Sequence, residues 1–153
     1  MGASGPSAAI LVAGLATANY DRVSLVCFTV QVARHLIGND AVQEVDIVGS
    51  TRSITRYGVT VRNREDLGRI IKEAFYIART GRPGPVLVDL PKDVMGELGS
   101  AEYPSEVHIR GYKHNTHVHI GQLKRAITIL SNAVKPQSLA VRSGTYPPHG
   151  TPR

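Results

Sequence analysis

Apolar positions along the chain switch between two spacings, and the switches mark its elements. From Arg64 to Arg79, Leu67, Ile70, Ile71, Ala74, Phe75 and Ala78 recur at intervals of three and four, which predicts a helix with one apolar stripe and a charged opposite face. The runs Leu25 to Val30 and Val86 to Leu90 are apolar without a break, as a strand buried on both faces requires, and Gly58 to Val61 predicts a shorter strand. Ser4-Gly5-Pro6 ahead of Ala8 to Val12 reads as a helix start, with Ser4 as cap and Pro6 in the first turn, and that helix runs to about Ala18. A short helix is expected at about Gln43 to Val48. Thr80 to Pro85 stops the long helix with glycine and proline.

Strand, helix and strand alternate, so the expected fold class is α/β, a parallel sheet with flanking helices. After Val94 the composition loosens into Gly, Ser, Glu and Pro, and residues 95–120 read as an interdomain linker over a surface. Gly121 to Ala133 restarts a helix through Leu123, Ala126, Ile127 and Leu130, and Pro136 precedes a weak strand at Ser138 to Val141. Residues 121–142 therefore read as the start of a second α/β domain, and residues 143–153 as a disordered tail.

The length of 153 residues, with 42% hydrophobic and 20% charged residues, suits a core-forming soluble chain rather than a disordered one. No apolar run is long enough for a bilayer and no secretory pattern follows Met1, so the expected location is the cytoplasm. The formal charge of +6 is unevenly placed. Residues 1–106 carry 11 basic and 12 acidic side chains, whereas residues 107–153 carry 7 basic and none acidic. A basic end without an aromatic platform or zinc spacing does not argue for specific nucleic-acid binding. Cys27, the single cysteine, reads as a small core residue, and His114, His117 and His119 as solvated side chains rather than a metal site.

Candidate chemistry lies around the strand ends. Gln31 to Glu44 follows a strand, where α/β sheets place binding loops, and Gln43 there can both donate and accept a hydrogen bond, although a plain helix-surface glutamine would look the same. Arg82 reads as part of a helix-stopping turn, or as a guanidinium at the edge where an α/β sheet receives ligands, suited to a phosphate or ring oxygen, and Lys92 follows a strand end, where ligands gather. Neither a nucleophile elbow nor a phosphate-binding loop is present, so hydrolase and nucleotidase readings lack support.

Taken together, Ser4-Gly5-Pro6, Gln31-Val32, Ile37 to Glu44, Thr51 to Arg56 and Gly81 to Asp93 resemble the large catalytic subunit of the acetolactate synthase (acetohydroxyacid synthase) family over about residues 3–133. The block Gly81-Arg82-Pro83-Gly84-Pro85-Val86-Leu87-Val88-Asp89-Leu90-Pro91-Lys92-Asp93 resembles that of thiamine-diphosphate enzymes of this kind. Gln43-Glu44 and Arg52 to Thr55 narrow it to this member, against glyoxylate carboligase or sulfoacetaldehyde acetyltransferase. The resemblance implies that residues 1–94 are part of the pyrimidine-binding domain and that the central, flavin-binding domain begins at about residue 121. It implies thiamine diphosphate, Mg2+ and FAD as cofactors, and condensation of two 2-oxo acids with loss of carbon dioxide, in branched-chain amino acid biosynthesis.

By the same resemblance Gln43 contacts the thiamine region, Arg82 contacts flavin, and Arg34, Arg56 and Lys92 line the substrate channel. The family's activating glutamate falls upstream of this chain, so a partial, catalytically inactive chain is expected, with no catalytic residue assigned. Departures gather near the site: Ser7 and Val30 stand for glycines, Ala33 for a proline and Val42 for a phenylalanine. Val30 is expected to be strained if its position needs a positive φ. Missing strands are expected to leave apolar faces around Ile10 and Leu15, favouring self-association or pairing with a full-length large subunit or a regulatory subunit. A non-catalytic interaction module is the alternative from another class.

Overall fold

The computed structural model describes residues 5–100, 102–114 and 117–138. Its elements are α1 (Pro6–Ala9), α2 (Leu11–Tyr20), β1 (Leu25–Gln31), α3 (Ile47–Thr51), β2 (Tyr57–Thr60), α4 (Leu67–Arg79), β3 (Pro85–Pro91), α5 (Lys92–Gly96) and α6 (Ile120–Ser131). The three strands form one parallel sheet in the order β1-β3-β2, with Cys27 opposite Leu87 and Gly58 opposite Leu87 on the other side. The α/β class read from the alternation is what the structure has.

Successive strand residues face opposite sides, and the two sides have different company. Val86 and Val88 of β3 join Val61, Ile70, Ala74, Ile77, Ala78 and Val94, so one face packs on α4. Leu87 points the other way into Ala8, Leu15 and Ile47, supplied by α1, α2 and α3. That two-sided burial is why β3 has no polar alternation, and each fully buried Val or Leu there is worth about 1.5–3 kcal/mol of transfer from water.

Several boundaries move for local reasons. The first helix is two pieces, because the chain turns at Ile10, and its capping residue is Gly5 at φ 61°; Ser4 lies outside the described residues. The helix expected at Gln43 begins instead at Ile47, since the Asp46 side chain accepts from the Gly49 amide at 2.8 Å and so sets the start. The long helix opens with a 3-10 turn at Arg64–Asp66 and is α-helical from Leu67. Its stripe is rotated from the expected one: Ile77 and Glu73 are buried, whereas Phe75 is 47% exposed. The Glu73 carboxylate is accommodated there because it accepts from Arg69 Nη1 at 2.9 Å.

Leu15 is 1% exposed, packed over Leu87, so the expected open face holds Ile10, at 78% exposure, but not Leu15. Val30 is an ordinary strand residue opposite Leu90, with no positive φ and hence no strain. Cys27 is half-buried beside the Leu87 cluster, and burial pushes its thiol pKa up.

Residues 102–112, within the segment read as an interdomain linker over a surface, lie against α4. Lys72 Nζ donates to the carbonyls of Pro104 and of Ser105, the latter at 2.6 Å, and Ile109 and Tyr112 pack against the core. The Tyr112 hydroxyl donates to Thr80 O at 2.8 Å. His114 is not simply solvated: its Nδ1 lies 3.2 Å from the Tyr76 hydroxyl, within ring contact of Tyr76 and Tyr112. His119 caps α6, its Nδ1 accepting from the Gln122 amide at 3.2 Å. The tail at 143–153 and most of the weak strand at 138–141 lie outside the described residues.

Candidate functional site

One face of the sheet turns polar toward its carboxyl end. Along β1 the same-side series runs Cys27, Thr29, Gln31; along β3 it runs Leu87, Asp89; along β2, Gly58 is followed by Thr60. These polar residues meet at Asp89, which is 1% exposed. Thr29 Oγ1 donates to Asp89 Oδ1 at 2.6 Å, and Gln31 Nε2 and Thr60 Oγ1 donate to Oδ2 at 3.3 and 3.5 Å. Burial raises the Asp89 pKa above the ordinary aspartate value, against the three hydrogen bonds that favour the anion. A buried carboxyl bridging three strand ends is the polar centre of the site. The motifs did not single it out; the signal was an aspartate inside the apolar run Val86-Leu87-Val88 to Leu90.

Gln31 carries that centre outward. Its Nε2 also donates to Val45 O at 2.8 Å, while its Oε1 accepts from the Val32 amide at 3.0 Å. The segment so held, residues 37–46, lies beyond the end of β1 and contains Gln43, which is exposed and has φ 68°. Gln43 therefore belongs to a turn and not to a helix surface. It lies against the start of α1: a Cβ on Gly5 would stand 2.7 Å from Gln43 O, so only glycine fits there. Glu44 braces the same turn, its carboxylate accepting from the Gly38 amide and from the Ala41 amide, the latter at 3.0 Å. Those amides, Gly38 first, lower the Glu44 pKa.

The five sequence-derived site residues divide between the two ends of the sheet. Lys92 directly follows β3 and is exposed at the carboxyl end, the side to which Gln43 and Arg34 also belong. Arg34 is already engaged: Nε donates to Asp93 Oδ2 at 2.6 Å, Nη1 to Arg62 O at 2.7 Å, and Nη2 pairs with Glu97. The hydrogen bond from Arg34 is the chief reason that the Asp93 pKa is lowered. Arg34 also lines, with Asp46, Thr60 and Arg62, a groove of about 720 Å³ beside β2, walled by Val48, Val59 and Val61.

Arg82 and Arg56 are at the other end. Both precede strands, Arg82 before β3 and Arg56 before β2, so in a parallel sheet both sit at the amino end. Arg82 is thus not at the strand ends that receive ligands in α/β sheets, which corrects the position read from the turn. It is separated from Lys92 by the seven residues of β3, about 23 Å at the usual rise. Arg56 packs its side chain on Gly84 and lies 6.0 Å from the Tyr112 ring centre; its Nη1 is buried without a hydrogen-bond partner among the described residues.

The residues present match the implied cofactors unevenly. Gln43 offers an exposed amide, able to donate and to accept, beyond the carboxyl end of β1. Among the described residues no cluster of three or more His, Cys, Asp or Glu is placed to hold a metal ion. Among those residues, too, no helix is long and apolar enough to cross a membrane.

No protein-family profile matches the chain. Individual relatives do. It is 44% identical over 135 residues to the acetolactate synthase large subunit of Buchnera aphidicola subsp. Schizaphis graminum, a match that covers 87% of this chain and 24% of that protein. The acetolactate synthase isozyme 3 large subunit of Escherichia coli K12 gives the same identity and coverage. The acetolactate synthase of Mycobacterium leprae is 46% identical over 136 residues, 89% of this chain and 22% of that protein. The chain spans about a quarter of the length of the curated relatives it matches, and over most of its own length it is similar to acetolactate synthase large subunits, as its motifs led us to expect.

Proposed function

We propose that this chain carries the part of an acetolactate synthase large subunit that shapes the pyrimidine side of a thiamine diphosphate site, and that by itself it does not turn over pyruvate. The observation that carries the reading is the identity of 42–46% to such subunits over nearly the whole chain. The placing of Gln43 at the carboxyl end of a parallel sheet supports it. In this reading thiamine diphosphate, when bound, supplies the chemistry that joins two 2-oxo acids with loss of carbon dioxide. The chain's own residues position it: Gln43 presents its amide to the pyrimidine region, while Lys92 and Arg34 put positive charge beside the approach of an anionic oxo acid. Arg34 reaches such a substrate only by giving up Asp93 or Glu97, so its first role is to join the Arg34 turn to α5.

Arg56 and Arg82 stand at the opposite end of the sheet from Gln43. A flavin contact at Arg82 then belongs to a surface remote from the Asp89 centre. The cytoplasm is the location consistent with this role.

Titration calorimetry of the purified chain with thiamine diphosphate plus magnesium, and separately with FAD, beside a pyruvate-to-acetolactate assay, tests the proposal. Thiamine diphosphate binding without turnover is the expected result. Turnover refutes the inactivity, and absence of binding removes the cofactor role. A second reading, an interaction module that pairs with a full-length large subunit or a regulatory subunit, is favoured by α6, whose apolar residues Ile120, Leu123, Ile127 and Leu130 are 47–59% exposed. Co-purification with a full-length large subunit, lost on charge reversal at Lys124 and Arg125, would favour it.

A further inference from the structure

Gln43 is a non-glycine residue at φ 68°, a strained conformation that persists only where the surroundings over-determine it. Three separate contacts do so. On one side the Glu44 carboxylate gathers the amides of Gly38 and Ala41, closing the turn on itself. On the other, Gln31 Nε2 holds Val45 O, and Gln31 is in turn fixed by Asp89 Oδ2 and by the Val32 amide. Below, the Gln43 backbone rests on Gly5, where any side chain would collide. Gly38 at φ 89° and Asp40 at φ 51° supply the bends that let a seven-residue turn return to its start.

We propose that residues 38–45 form a preset clasp in which Glu44, and the Gln31–Asp89 pair acting through Val45, are positioning residues that hold Gln43 in its left-handed conformation at the carboxyl end of the sheet. Asp89 does this without touching the turn. Its oxygens accept from Thr29, Thr60 and Gln31, and that fixes which way the Gln31 amide faces: nitrogen toward Val45 O, oxygen toward the Val32 amide. Without an acceptor at Asp89, the Gln31 amide loses one of the three bonds that hold this orientation, and its hold on Val45 weakens. The value of the clasp for cofactor binding rests on the reading of Gln43 given above; its geometry does not.

The test reads the backbone of Gln43 directly. A left-handed residue brings its Hα close to its own amide proton, so the intraresidue Hα–HN cross-peak in an NMR experiment reports φ without any ligand. We expect a strong cross-peak for Gln43 in the unaltered chain, its weakening to the intensity shown by the helical and strand residues in Glu44→Ala and in Gln31→Ala, and intermediate intensity in Glu44→Gln, which keeps one acceptor oxygen. Hydrogen exchange at the β1 and β3 amides serves as the control for folding. Gln31 is buried, so should its variant unfold, the Glu44 pair carries the test alone. A weak cross-peak in the unaltered chain, or an unchanged one in Glu44→Ala with the sheet amides intact, overturns the clasp. Titration of the same proteins with thiamine diphosphate plus magnesium separates the two readings. Binding that falls with the cross-peak intensity supports both, and a weakened cross-peak in the variants with no binding by any form leaves the clasp standing and removes the cofactor contact.

Discussion

At the scale of single residues, the telling feature is that three carboxyls toward the same end of the sheet are not pushed in one direction. Asp89 is raised by burial, so between its unfolded and folded pKa values the native state binds more protons than the unfolded chain, and its contribution to stability falls as pH rises through that window. Glu44 and Asp93 are lowered, and their contributions, present above their unfolded pKa values, are lost as pH falls through the folded ones. Asp89→Asn, which mimics the neutral acid, is therefore expected to gain stability relative to the unaltered chain as pH rises above about 4. Urea unfolding of both proteins between pH 4 and 7 checks this; a constant difference across that range would sink it. Ala33, at φ −57° and ψ 146°, already has the backbone angles that proline imposes. Ala33→Pro is expected to raise stability by about 0.4–1 kcal/mol through the unfolded state, seen as a higher melting temperature.

At the scale of elements, α4 and the segment laid across it share one packing problem. The helix turns Ile70, Ala74, Ile77 and Ala78 to the sheet, which leaves Phe75 on the flank and brings Glu73 under partial cover with Arg69. Ile77→Ala is expected to cost about 2–5 kcal/mol, and Phe75→Ala clearly less, in denaturant unfolding. Equal losses would restore the stripe read from spacing alone. Over the helix's end, Tyr112 is held by Thr80 through both the carbonyl and, at 3.0 Å, the hydroxyl. Tyr112→Phe removes both bonds and keeps the ring, so a loss of about 0.5–1.5 kcal/mol and faster proteolysis within residues 102–114 are expected.

At the scale of the whole molecule, a three-stranded parallel sheet covers one edge of its centre with β1 and the other with β2, and both outer edges are open strands among the described residues. Parallel sheets are ordinarily wider and covered on both faces. With Ile10 exposed on α1–α2 and a row of exposed apolar side chains on α6, the chain is expected to self-associate in sedimentation velocity runs. The double variant Leu123→Glu, Ile127→Glu is expected to reduce that association; an unaltered chain that sediments as one monomeric species would contradict it.

What the amino-acid order determined by itself was local and periodic. Unbroken apolar runs at Leu25 to Val30 and Val86 to Leu90 mark strands wherever they are placed, and the three-four spacing after Arg64 marks α4, because these signals come from neighbours within a few positions. The resemblance to acetolactate synthase large subunits was equally legible, since it rests on the identity of residues in line. Which end of the sheet each candidate occupies follows from its place before or after a strand once the strands are parallel, and the tertiary structure supplied that parallel pairing. It alone gathered Thr29, Gln31 and Thr60 onto Asp89, since those contacts span between 29 and 60 residues of chain and leave no trace in local pattern. The φ of Gln43 belongs with them: no propensity asks a glutamine to be left-handed, and only packing against Gly5 and the bonds of Glu44 and Gln31 hold it there.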